Sequence, residues 1–293
     1  ELKNFIVAGG SKRGWTTWSA AAVDPRVIAI APLVFDALNT GRSFEHHWRA
    51  YGFWAPSVQD YVDAGIMSWF GTEQMSALID IEDPYRYRER LTLPKYEINS
   101  TGDQFFLPDS SQFYFADLPG EKYLRYVPNT DHGLSGVDAL LNLLAWVQAI
   151  VTNYPRPRFY WRADRSAGSM TLRVVDKPSK VLLWKAANPA ARDFRLETIG
   201  AAWKSTPVTG ENGIYSVNVA APETGYAAFF LELTYPGPTD LPLVFTTEVV
   251  VTPDVYPFEA PTASTSGRAA SGSAQKPNTP GLEWLAKGLR RRD

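Results

Sequence analysis

Cysteine is absent from the 293 residues. That excludes disulfide frameworks, thiolate metal sites and cysteine nucleophiles, and it leaves the redox compartment open. Histidine occurs only three times, two of them the neighbours His46 and His47. A three-histidine zinc site is all but excluded, no metal and no cofactor are expected, and an imidazole catalyst must come from a very short roster. Charge of one sign is also missing, since 29 Lys and Arg stand against 31 Asp and Glu for a net charge of −2. No strong field exists to draw nucleic acid or anionic lipid, so neither is an expected partner. No apolar run approaches the ~18 residues of a membrane-spanning segment. The chain opens on Glu1 and enters an apolar run at residues 5–8 without a targeting segment, so it reads as cut inside a domain.

What is present is ordinary globular material, 45% hydrophobic and long enough for two domains of about 150 residues each. Residues 4–8 form a continuous apolar run that stops at Gly9-Gly10, residues 15–23 are small or aromatic, Asp24-Pro25 breaks them, and residues 27–35 form a second apolar run. Strand, helix and strand in this order predict a βαβ unit with a parallel sheet. Residues 36–94, rich in Trp, Tyr and Phe with helical patterns at 58–70 and 73–81, read as an insertion. Strands follow at 95–99 and 123–127, then an amphipathic helix over 136–152. Beyond the Pro-rich stretch at 153–157 the pattern changes to short alternating runs at 159–163, 170–175, 180–185, 194–199, 214–219, 227–234 and 243–251. These predict an antiparallel β-sandwich over 155–260 that folds separately from the parallel unit at 1–153, followed by a disordered low-complexity tail at 261–293.

The feature with chemistry is Gly9-Gly10-Ser11-Lys12-Arg13-Gly14, set between a buried strand and a helix. A serine on so sharp a turn projects its hydroxyl at the carboxyl edge of the sheet, where the helix N-terminus favours negative charge. The usual G-x-S-x-G pattern is met only in its first half, because Arg13 stands at the last glycine position. The bland alternative is a serine that merely caps the helix. Chain order supports the sharper reading: Asp103 follows the third strand and His132 follows the fourth. Asp109, also after the third strand, reads better as the cap of a helix at 110–115. Ser11 is then the nucleophile, His132 the base, Asp103 the orienting acid, and the Lys12 backbone N–H an oxyanion donor. The side chains of Lys12 and Arg13 either bind a carboxylate near the scissile bond or are solvated. His46, His47 and Trp48 sit where a lid would hang, and they either contact substrate or form the small core of the insertion.

The segment around Gly10-Ser11-Lys12-Arg13-Gly14-Trp15, together with Gly102-Asp103-Gln104-Phe105-Phe106-Leu107-Pro108-Asp109-Ser110 and Pro128-Asn129-Thr130-Asp131-His132, resembles the PhoPQ-activated pathogenicity-related proteins over residues 1–258. The resemblance implies an α/β-hydrolase-like parallel sheet, the C-terminal half of such a domain, followed by the β-sandwich. It also implies an exported protein, secreted or periplasmic, of a family that includes members tied to virulence and autoaggregation. The elbow is similar to that of glucuronoyl esterases, which act on carbohydrate esters. Measured against the family, this chain lacks an N-terminal portion with the first strands and the loop that supplies a second oxyanion donor.

The expected function is a serine hydrolase, an esterase or amidase, whose substrate is a small-molecule, carbohydrate or peptide ester. A non-catalytic surface protein that uses the hydrolase fold as a scaffold for adhesion is the alternative. This chain by itself is expected to be inactive and prone to self-association through an unpaired first strand.

Overall fold

The first apolar run becomes β1 (Phe5–Gly10), the small-residue stretch becomes α1 (Lys12–Val23), and the second run becomes β2 (Val27–Leu33) in the computed structural model, which describes residues 2–136 and 138–262. α1 stops where Asp24 turns extended ahead of Pro25, as proline demands of the residue before it. β1 and β2 pair in parallel from Phe5↔Val27 to Gly10↔Leu33.

The insertion folds as α2 (Thr40–Tyr51), α3 (Gln59–Asp63) and α4 (Glu73–Glu82), with 3₁₀ turns at Pro56–Val58, Ile66–Trp69 and Pro84–Arg90. The helix pattern at 58–70 is interrupted at Gly65, where φ is 74°, a conformation that glycine adopts without penalty. Trp48, Trp54, Val58 and Met67 pack together as the core of the insertion.

β3 (Lys95–Ser100) and β4 (Lys122–Val127) continue the sheet in parallel, and α5 (Asp138–Val151) covers one face, with Trp146 lying 5.7 Å from the ring of Tyr96. β3 is buried throughout although its sequence alternates Lys95, Glu97 and Asn99 with apolar residues. Buried polar groups need partners: Lys95 Nζ donates to the Pro119 carbonyl at 2.6 Å, and Glu97 accepts the Tyr114 hydroxyl at 2.8 Å. Burial pushes the Lys95 ammonium down to about 8 and the Glu97 carboxyl up to about 8.

The later strands are β5 (Phe159–Asp164), β6 (Ser169–Val174), β7 (Lys180–Asn188), β8 (Lys204–Pro207), β9 (Ile214–Asn218), β10 (Tyr226–Tyr235), β11 (Leu243–Thr246) and β12 (Val250–Thr252). The run at 194–199 is not the expected strand. It forms the short helix α6 (Leu196–Ile199) within the connection from β7 to β8.

Nor does the boundary at 153–157 separate two sheets. One nine-stranded sheet runs β1-β2-β3-β4-β11-β10-β7-β8, with β12 also on β10, while β5-β6-β9 form a second, antiparallel sheet. The seam lies between β4 and β11, where Thr246 is paired with Leu124 and the Thr246 hydroxyl accepts the Tyr126 N–H at 3.0 Å. Arg125 explains why no break occurs here: it is buried on β4 and donates to Glu232 of β10 at 2.8 Å and to Asn142 of α5 at 2.8 Å. Tyr123 stacks on Phe245 at 4.3 Å, and Phe159 of the small sheet joins them 5.9 Å from Phe245. The parallel unit and the antiparallel strands thus share a core. The tail expected at 261–293 lies, beyond Thr262, outside the described residues. Among the described residues no helix is long and apolar enough to cross a membrane.

Candidate active site

β1 delivers Ser11 to the carboxyl edge of the parallel sheet in a conformation that L-residues avoid, φ 58° and ψ −126°. Such backbone costs about 1–3 kcal/mol and persists only where its surroundings impose it. Two glycines let them do so. A Cβ at Gly9 would lie 2.6 Å from the Arg13 carbonyl oxygen, and one at Gly14 would lie 2.9 Å from both the Leu33 oxygen and the Phe35 Cβ. Gly10 is different, because a Cβ there would meet only ordinary contacts at 3.8 Å or beyond. The departure from G-x-S-x-G follows: the glycine that lets α1 approach β2 stands at 14, so position 13 is free to carry Arg.

The Ser11 N–H donates to the Leu33 carbonyl at 2.9 Å, while its hydroxyl makes no capping bond to α1. The capping alternative is thereby set aside. Lys12 opens α1, so its backbone N–H is among those at the helix N-terminus that lack a partner within the helix. The side chains of Lys12 and Arg13 are exposed and form no ion pair among the described residues.

Asp103 and His132 are brought together. The imidazole Nδ1 lies 2.8 Å from Asp103 Oδ2 and 3.0 Å from Oδ1. Asp103 Oδ1 also accepts the backbone N–H of Phe105 at 2.7 Å and of Phe106 at 3.3 Å, which aims the carboxylate. Gln104, which sequence reasoning missed, accepts the His132 N–H on its Oε1 at 2.9 Å. The imidazole lies against Phe105, ring centroids 4.2 Å apart. Burial alone would push the His132 imidazole down, but the adjacent Asp103 carboxylate, with a smaller contribution from Asp131, outweighs it and holds the imidazole above its ordinary value. Because β1, β3 and β4 run in parallel, Ser11, Asp103 and His132 all leave the same edge of the sheet. No Ser11–His132 hydrogen bond is formed; Nε2 is buried without a partner among the described residues and points away from Asp103. Catalytic hydrogen bonds are often open before substrate binds.

The three insertion residues expected near the substrate are held by neighbours within the protein. His46, His47 and Trp48 are all buried. His46 Nε2 donates to Asp109 Oδ1 at 2.8 Å, while Nδ1 accepts from the Tyr256 hydroxyl at 2.7 Å. His47 Nε2 accepts the Ala55 N–H at 3.0 Å, which leaves Nδ1 to donate to the Phe105 carbonyl at 3.3 Å. Burial pushes the His47 imidazole down to about 3, so it is neutral. Trp48 packs on Trp54, centroids 5.0 Å apart. Trp48 thus belongs to the core of the insertion, while α2 turns its two imidazoles against the loop beyond β3.

Asp109 stands at the N-cap position of a 3₁₀ turn, Ser110–Phe113, rather than of a helix over 110–115. Its side chain makes no capping bond and instead pairs with His46 and, at 2.6 Å, with buried Arg192. Although burial opposes ionisation, the Arg192 guanidinium and His46 hold this carboxyl far below the usual range. Arg192, on the connection from β7 to β8, carried no signal in sequence, because nothing local shows which carboxylate a distant arginine will meet.

Parallel strands with a strained serine after the first, an acid after the third and a histidine after the fourth define an α/β-hydrolase type of fold. The chain belongs to the PhoPQ-activated pathogenicity-related protein family, whose sequence model matches residues 1–195. It is 40% identical over 283 residues to autocrine proliferation repressor protein A of Dictyostelium discoideum, covering 87% of this chain and 57% of that protein. The chain thus spans little more than half the length of this relative. Among solved structures, it is similar to an acetyl xylan esterase from Paenibacillus sp. R4, with TM-score 0.40 and 18% identity over 52% of this chain and 46% of the esterase. It is also similar to the Pyrococcus horikoshii acylaminoacyl peptidase, with TM-score 0.40 and 14% identity over 53% of this chain and 25% of the peptidase.

Proposed function

We propose that the protein is a serine hydrolase that cleaves an ester or amide, with Ser11, His132 and Asp103 as its triad. The observation that carries this reading is the positive φ of Ser11, whose hydroxyl makes no capping bond to α1, on the sheet edge that also bears a formed His132–Asp103 pair. Ser11 Oγ attacks the acyl carbon as His132 Nε2 takes its proton, and the tetrahedral oxyanion forms beside the Lys12 N–H. Collapse expels the leaving alcohol or amine, protonated by His132, and water then releases the acyl group by the reverse sequence. The exposed Lys12 and Arg13 favour an anionic group on the substrate, and a carbohydrate or peptide ester in a secreted or periplasmic setting fits the family. Fluorophosphonate labelling of the full-length protein is the test. An adduct on Ser11, lost in Ser11→Ala, is expected, and absence of an adduct on the folded protein overturns the proposal.

The second reading, a non-catalytic scaffold, is favoured by two observations: the open Ser11–His132 contact, and a relative whose name describes a repressor rather than an enzyme. On this reading β1, which pairs only with β2 among the described residues, is a place for self-association. Concentration-independent monomers by light scattering would count against it.

A further inference from the structure

The acid and the histidine sit on two separate loops, and both loops are fastened to a third. Gly102, next to the acid, donates its N–H to the Thr130 carbonyl of the histidine loop at 3.0 Å and accepts the Leu196 N–H at 3.0 Å. The approach is close enough that a Cβ at Gly102 would stand 2.7 Å from Leu196 N and 2.8 Å from the Thr130 oxygen. Asn129, three residues before His132, takes φ 58° and donates its N–H to Thr101 Oγ1 at 3.0 Å. Its side chain closes a reciprocal pair with the backbone of Trp203: Nδ2 donates to the carbonyl at 3.0 Å, and Oδ1 accepts the N–H at 2.9 Å.

Leu196, midway along, and Trp203, at the far end, belong to one segment, the connection between β7 and β8. That segment is itself rigidly built. Asn188 Nδ2 donates to the Asp193 carbonyl at 2.7 Å while its Oδ1 accepts two backbone N–H groups, and Arg195 is paired with Asp193 at 2.6 Å. The segment also reaches the acid loop at a second point, through Arg192 and Asp109.

We propose that the connection from β7 to β8 is a positioning element that fixes the Asp103–His132 pair, with Asn129 as the positioning residue that joins the histidine loop to it. The proposal rests on the catalytic reading for its purpose but not for its test. Two loops that each end a strand have no intrinsic reason to hold a carboxylate within hydrogen-bond distance of an imidazole. A third segment bonded to both removes their relative freedom, which is how supporting hydrogen bonds keep a site within about 0.5 Å of productive geometry. It also gives the antiparallel half of the sheet a role in the chemistry of the parallel half.

Asn129→Gly keeps the positive φ accessible and deletes both bonds to Trp203. Expected in the folded variant are loss of the downfield Nδ1–H proton resonance of His132, a fall in the His132 titration midpoint, and Ser11 labelling slowed about tenfold or more. The midpoint falls because the groups facing this imidazole are the Asp103 and Asp131 carboxylates, and a loosened Asp103 leaves burial less opposed. An unchanged resonance and midpoint in folded Asn129→Gly overturn the proposal. Should that variant fail to fold, Leu196→Pro, which removes the N–H donated to the Gly102 carbonyl at a first helical position where proline is tolerated, is read in the same way. A lowered midpoint supports the proposal and an unaltered one refutes it. If wild-type protein shows the downfield resonance but no Ser11 adduct, the catalytic reading fails while the positioning proposal is still decided by the resonance and midpoint.

Discussion

Asp103→Asn is the perturbation that separates orientation from folding at this site. In the wild type the carboxylate has two tasks: Oδ1 accepts the Phe105 and Phe106 N–H groups, and Oδ2 stands 2.8 Å from His132 Nδ1. An asparagine can keep the first with its carbonyl oxygen, which turns the amide NH₂ toward the imidazole. Nδ1 must then accept, the proton moves to Nε2, and the ring can no longer take the proton of Ser11. Loss of tautomer control in such a triad costs about 10⁴ in turnover, or about 5 kcal/mol of transition-state stabilisation. The loop retains its backbone bonds, so circular dichroism and the melting midpoint should change little. The rate of fluorophosphonate labelling of full-length protein against pH is the assay. Wild-type reactivity should rise with pH through a midpoint above that of ordinary imidazole, because protonated His132 is no base and Asp103 stabilises its charged form. The sign is opposite for stability: a pKa raised on folding favours the native state below the unfolded value, and that contribution is lost as pH rises through the folded one. Labelling at wild-type rate in Asp103→Asn, or its loss in a folded Asp109→Asn instead, would refute the assignment.

Asp109→Ala leaves the buried Arg192 without its carboxylate and should destabilise the fold by about 3–5 kcal/mol in urea denaturation. The same pair predicts that stability is present above the ordinary carboxylate range and is lost only as pH falls well below it, since the Asp109 carboxyl is held low in the native state. Gly9→Ala should cost about 1–3 kcal/mol by thermal melting, because its Cβ would meet the Arg13 carbonyl at 2.6 Å, whereas Gly10→Ala should be close to neutral at 3.8 Å. A fragment of residues 155–262 should fail to give a cooperative melt, because Phe245 and Glu232 lose Tyr123 and Arg125 across the seam.

How much of this was legible in the chain follows the range of the forces involved. The βαβ unit, the serine at its turn and the helix over 138–151 rest on local propensities, since an apolar run, a glycine pair and a proline act within a few residues. The succession of Ser11, Asp103 and His132 was legible for the same reason: each needs only to follow a strand of a parallel sheet, and chain order fixes the edge. Tertiary structure alone decided that the second carboxylate of this loop meets a second imidazole. Asp103 and Asp109 lie six positions apart on one loop, yet the first pairs with His132 and the second with His46, by the packing of β4 and α2 against that loop. It also decided that β7, β8, β10, β11 and β12 extend the first sheet, while β5, β6 and β9 form a second one. That outcome hangs on the buried meeting of Arg125 and Glu232, 107 residues apart, and period-two alternation reports only which face of a strand is buried, never which strand lies beside it.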